Sequence, residues 1–151
     1  MRYAGTAVKM CYMALQCTWG AVQTLTGLGL FLWFAKSPHE CYHGAVHTKW
    51  NLDGGISLGL FIFTPDRDEA WCHEMAVHEY GHTWQSLMLG PLYLLAVGIP
   101  SIVWARYPGF IELRRRNQLP YSAFYTEKWA DRLGARMAEA VSGLERQDKE
   151  S

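Results

Sequence analysis

Five consecutive residues, His78-Glu79-Tyr80-Gly81-His82, carry the densest chemistry in this chain. Histidines four apart share one face of a helix, so both imidazoles can reach one metal ion. Glu79 projects beside them and can hold a water. Zinc suits this set: it lowers the pKa of a water from about 15.7 to about 7, and a carboxylate can then take the proton as the oxygen attacks a carbonyl. A catalytic zinc wants a third protein ligand and one open position. The downstream candidates are Glu112, Glu127, Asp131 and Glu139. Glu127 and Asp131 are four apart, so they share a face. Glu127 is the expected third ligand, and Asp131 is expected to accept a hydrogen bond from a ligand histidine's second nitrogen, fixing its tautomer. Glu112 lies beside an arginine run and has no such companion. A developing oxyanion also needs a donor. Tyr125 and Tyr121 precede Glu127 closely, and Tyr125 is expected to act with Glu79.

These residues need elements to hold them. Asp66 and Glu69 read as the cap and first turn of a helix over 66–89 that carries the histidines and ends at Gly90-Pro91. Ala45–Trp50 and Ile56–Phe63 flank a glycine-containing turn and predict an antiparallel hairpin over 45–63. The Ile56–Phe63 strand is the expected exposed edge to which an extended peptide could add. Ala123, Trp129, Ala130, Leu133, Met137 and Val141 recur at helical spacing and predict a last helix over 122–144, with a frayed polar tail from Glu145. Gly81 allows close packing against another backbone.

His78-Glu79-x-x-His82 followed by Glu127-x-x-Ala130-Asp131 resembles the gluzincin metallopeptidases, in particular the membrane-associated branch with the CAAX prenyl protease and bacterial heat-shock peptidases. The segments His78–Ser86, of the form H-E-Y-G-H-T-x-Q-S, and Thr126–Asp131 also resemble those of small uncharacterised bacterial membrane proteins. The resemblance implies that His78, His82 and Glu127 bind one Zn2+, that Glu79 is the general base, that Asp131 supports the site, and that the substrate is a peptide or protein. It also implies a bacterial inner-membrane location. The motifs and the helices bearing them cover about a third of the chain, which lacks the additional spanning helices of the larger peptidases.

Composition frames this reading. The 151 residues carry no net formal charge, which argues against a nucleic-acid partner. Half are hydrophobic and only 19 % are charged. Residues 10–35 and 83–105 contain no charged side chain. The first window, as one helix, would be about 39 Å long and able to cross a bilayer core of about 30 Å. The second cannot cross: it would put the histidines and Glu127 on opposite faces of the membrane. Residues 91–113 are therefore expected to form a helical hairpin broken at Gly98-Ile99-Pro100, re-entrant, interfacial or packed inside the protein. The arginines from Arg106 to Arg116 would then meet lipid headgroups. The fold expected is a single α+β domain over 1–151: mostly helical, with a small β-hairpin, an N-terminal membrane helix and a second hydrophobic helical hairpin.

Other readings compete. Glu40-x-x-His43 and Glu79-x-x-His82 together suggest a di-iron carboxylate protein. A metal-stabilised membrane protein without activity, of adaptor or immunity type, would leave Glu79 without a purpose. His39, His43 and His47 recur every fourth residue, but Pro38 and Gly44 interrupt any helix that would align them as a second metal site. Cys11, Cys17, Cys41 and Cys72 form no C-x-x-C pair and read as buried free thiols.

Overall fold

The computed structural model describes residues 3–150. The molecule is mostly helical with one small mixed sheet. Two helices, α1 (Ala4–Thr18) and α2 (Ala21–Trp33), lead into strands β1 (His39–Tyr42), β2 (Ala45–Trp50), β3 (Ile56–Leu58) and β4 (Phe61–Pro65). The long helix α3 (Glu69–Leu89) follows, then a 3₁₀ turn at Gly90–Leu92 and a π turn at Leu94–Gly98. Helices α4 (Ile99–Arg106) and α5 (Pro108–Asn117), a 3₁₀ turn at Tyr121–Ala123 and α6 (Tyr125–Glu150) complete the chain.

The sheet order is β1-β2-β4-β3. The expected hairpin over 45–63 does not form. Each of its two strands instead belongs to a hairpin of its own. β1 and β2 pair through His43 and Gly44, both at positive φ (51° and 95°), as a type I′ turn requires. β3 and β4 pair through Gly59-Leu60, with Gly59 at φ 60°. Gly59 therefore splits the Ile56–Phe63 run in two, and β4 lies parallel to β2, Val46 opposite Phe61. Central β4 is buried throughout, and its period-2 alternation serves two layers. Ile62 joins Tyr12, Ala45, Tyr80 and Ala138 in one core, whereas Phe61 and Phe63 join Trp50 in a second, beneath Leu30, Phe31 and Phe34. Only the Ile56–Leu58 part of the expected edge is an edge.

Helix α3 starts at Glu69, with Asp68 and not Asp66 as its cap: the Asp68 carboxylate accepts the Trp71 amide at 3.0 Å. It ends at Gly90, which takes φ 54°. Window 10–35 is not one helix; it breaks at Trp19-Gly20 between α1 and α2 because its polar residues bond inward. Gln16 donates to the Thr83 carbonyl, Gln23 donates to the Gly90 carbonyl, and the Thr24 hydroxyl donates to the Gln16 carbonyl. Among the described residues no single helix is long and apolar enough to cross a membrane. In the second window Gly98-Ile99-Pro100 does not break the chain, since the π turn passes Pro100 directly into α4. The bend, 68°, falls instead between Arg106 and Pro108, where Tyr107 is extended. Helix α6 begins at Tyr125 and continues through the tail expected to fray. There Lys9 pairs with Glu145 at 3.0 Å, and Asp148 accepts the Thr6 amide. Cys72 alone of the four thiols is buried.

Candidate metal centre

Helices α3 and α6 build the centre, and two glycines set their spacing. A Cβ at Gly81 would overlap the Ala130 carbonyl, and one at Gly134 would overlap the Val77 carbonyl. Backbone thus lies on backbone at both contacts, a distance only glycine permits. Between them, one ligand atom each from His78, His82 and Glu127 converges, all within 4.8 Å of one another. Among the described residues these three form the group able to hold a metal ion. His78 Nε2 lies 3.2 Å and His82 Nε2 3.4 Å from Glu127 Oε2.

The outer nitrogens are held as well. His78 Nδ1 donates to Asp131 Oδ1 at 2.6 Å, and His82 Nδ1 donates to Gln85 Oε1 at 2.7 Å. Gln85 is fixed in turn by donating to the Thr126 carbonyl. With each Nδ1 donating outward, each Nε2 is directed inward and becomes a metal ligand once its ring is neutral. Glu127 is fully buried; its Oε1 accepts from the Thr126 hydroxyl, which accepts from Ser101 on α4. Its Oε2 is buried with no hydrogen-bond partner. A buried carboxylate oxygen without a hydrogen-bond partner, facing the Nε2 atoms of two imidazoles, fits a cation that would displace the His78 proton.

Electrostatics follow from this crowding. Burial raises the Glu127 carboxyl, but the His78 and His82 imidazoles facing it outweigh that and hold it well below the usual range. Burial lowers the His78 imidazole, but the facing Glu127 carboxylate, the Glu79 charge and Asp131 outweigh that and hold it up at about 9. Glu79 is the opposite case. Its carboxyl is buried beneath Gly55, where a Cβ would overlap Oε1, and burial pushes its pKa up against the pull of both histidines. A carboxylate raised in this way is a better proton acceptor near neutral pH.

A cavity of about 810 Å³ opens over the centre. Its walls are the β3 edge with Gly54 and Gly55, the inner face of the π turn and α4, and Tyr121. Tyr125 stands outside it, which corrects the expectation for the oxyanion donor: it is 58 % exposed, and its hydroxyl donates to the Ala96 carbonyl at 2.9 Å. The extended backbone at Phe124 separates the 3₁₀ turn from α6, so the two tyrosines face different ways. The Tyr121 ring is 6.4 Å from that of His78 and carries Arg114 at 5.4 Å. Tyr93, buried on the cavity wall, has no counterpart among the residues singled out from sequence. Burial pushes both phenols well above their ordinary range, so both stay protonated donors. Gln85 falls inside the segment that carries the resemblance, but its role was not assigned; its position three after His82 was the available signal.

The remaining candidates lie elsewhere. Glu112 pairs with Arg115 and Arg116 on the surface of α5, and Glu139 is exposed on α6 away from the cavity lining. His47 is buried between Glu40 and the Thr64 hydroxyl, His43 meets Glu145, and His39 meets the Ser37 carbonyl, so the three do not converge. Glu40 and His43 sit on β1 and its turn, apart from the α3–α6 centre. Set against known proteins, the chain matches no family model, no curated protein and no solved structure.

Proposed function

We propose that the chain is a membrane-associated, zinc-dependent metallopeptidase. One observation carries this reading. Three ligand atoms converge on a point left open towards a cavity, and a second glutamate, Glu79, is buried beside them without belonging to the ligand set. A structural site would be closed by a fourth ligand; an open position is the mark of a catalytic one. Two imidazoles and one carboxylate make a donor set suited to zinc. Bound there, zinc would supply Lewis acidity, making a water acidic near neutral pH and polarising a peptide carbonyl.

The chain's own groups do the rest. Glu79, with its raised pKa, accepts the proton of the attacking water and returns it to the leaving amine. Tyr121 and Tyr93, kept protonated, are donors for the oxyanion. Asp131 and Gln85 hold both imidazoles in one tautomer. The β3 edge offers backbone groups to an extended peptide, and the Gly54-Gly55 backbone leaves it room near Glu79. A di-iron reading would need Glu40 and His43 in the same centre. A non-catalytic, metal-stabilised adaptor would have no use for a buried Glu79.

Elemental analysis of the purified protein should give about one zinc per chain, lost in His78→Ala. Two irons and no zinc would end the peptidase reading. Glu79→Gln should retain zinc and fold while casein cleavage falls by about 10²–10⁴-fold. Unchanged cleavage would remove Glu79 from the mechanism.

A further inference from the structure

Helix α2 is inside out. Its polar residues Gln23 and Thr24 are buried and hydrogen-bonded inward, while Val22, Leu25, Leu28, Leu32 and Trp33 are exposed, Trp33 to 84 %. Helix α1 repeats the pattern near its end, with Gln16 buried and Leu15 and Trp19 exposed. A helix on a protein surface in water has the opposite arrangement. A second segment agrees independently. Between Met88 and Val103 every exposed residue is apolar, Leu92, Leu95, Ile99 and Ile102 among them. The two regions adjoin, because the Trp19 indole lies against Gly90 and Gln23 binds the Gly90 carbonyl. Together they form a connected apolar surface of the kind that marks an interaction site.

Several features choose its occupant. Neither segment has a charged side chain, and the exposed hydroxyls of Thr18 and Thr26 donate to their own helix at Ala14 and Val22. A protein partner would find almost nothing to hydrogen-bond there, whereas lipid tails require nothing. Basic residues stand at the borders: Lys36 beyond α2, Arg106 ending α4, and on α5 Arg115 and Arg116, which share the one carboxylate of Glu112 and keep a net positive charge. Such a border suits anionic headgroups. Helix α2, at 13 residues, spans only about 20 Å of a core about 30 Å thick. The α4–α5 pair bends by 68°.

We infer that this surface seats in one leaflet of an anionic bilayer without crossing it, with Arg106 and its neighbours at the phosphates. Ile99 and Ile102 are exposed and also line the cavity, so the cleft opens at the lipid boundary. The inference rests on the membrane association proposed above and specifies the face that makes it, independently of the zinc chemistry.

Flotation of the zinc-loaded full chain tests it. The protein should float with phosphatidylglycerol-rich vesicles, and less with pure phosphatidylcholine or at high salt. Leu25→Glu and Leu95→Glu, neither in the cavity wall, should each weaken partition at least about tenfold, because each withdraws an apolar side chain and brings a charge to lipid. Circular dichroism and urea unfolding like the wild type's in both variants show that they fold. Glu79→Gln should float like the wild type, so a failed peptidase reading leaves this result intact. Wild-type flotation by both glutamate variants would overturn the inference. So would a wild-type protein that ignores vesicles and forms a dimer that Leu95→Glu dissociates; a second copy would then cover the face.

Discussion

His78 answers to two carboxylates at once, and its protonation should report the state of the site. In the metal-free protein its pKa is raised from 6.5 to about 9. A raised imidazole stabilises the fold fully below its unfolded pKa, and that contribution fades as pH climbs through 9. Metal-stripped protein should therefore lose urea resistance between about pH 6 and about pH 9.5, and His78→Gln should flatten the trend. Zinc uptake has the opposite dependence. Binding must expel the proton, so affinity should rise by up to about tenfold per pH unit until His78 is neutral. Chelator competition across that range measures it. Asp131 affects the same imidazole from outside, and Asp131→Asn should weaken zinc binding by about 10–100-fold with one ion still bound per chain. At this scale the motif residues could be read from spacing, because i and i+4 fix a shared helix face. Tyr125 could not. Nearness in sequence to Glu127 says nothing about which way a ring points when a turn intervenes, and it is Tyr121 that faces the cavity.

Between elements, the α3–α6 contact at Gly81 and Gly134 decides the ligand geometry. Gly134→Ala tests it cleanly, because two effects oppose each other. Alanine gains about 1 kcal/mol of helix propensity over glycine. Its Cβ, however, would overlap the Val77 carbonyl, which is backbone and has no rotamer to yield. Overpacking of this kind costs about 1–3 kcal/mol or more, so the clash should win. Urea unfolding should show a less stable protein, and zinc affinity should fall with it because Glu127 moves away from the histidines. Equal or greater stability would show that the helices part without cost. Gly81 was legible as a packing glycine because it lies inside the motif, whereas Gly134 meets Val77 across a separation that sequence does not reveal. The sheet shows the same limit. Of the two expected strands Ala45–Trp50 matches β2, but Ile56–Phe63 is two strands, β1 has no counterpart among them, and Gly59 inside the apolar run was the unread turn. A parallel β2–β4 pair follows from two short hairpins placed side by side.

Across the whole molecule, the metal would join α3, in the middle of the chain, to the last helix α6, with the apolar segment 88–103 lying between the ligands in sequence. Saturating zinc should therefore raise global stability. At a free concentration a thousandfold above Kd the gain is about 4 kcal/mol, readable as a Tm increase that a chelator reverses. Two uncharged windows were visible in the sequence, and an α+β fold could be drawn around them. Their use was not visible. Composition cannot tell a crossing helix from one that turns its glutamines inward, since the distinction lies in the direction of Gln16 and Gln23 and not in their number.

The glycine contacts also bear on robustness. Because backbone touches backbone at both, the ligand spacing is set by main-chain contact and owes little to the fit of neighbouring side chains. The core can then drift without detuning the centre. Val141, buried on α6, illustrates the point. Val141→Ala should cost on the order of 1–3 kcal/mol and lower Tm, yet leave zinc affinity and the pH profile of uptake where they were. Substitutions in the core, away from the ligands and the residues that hold them, should be felt first as lost lifetime, and those at the two glycines as lost accuracy.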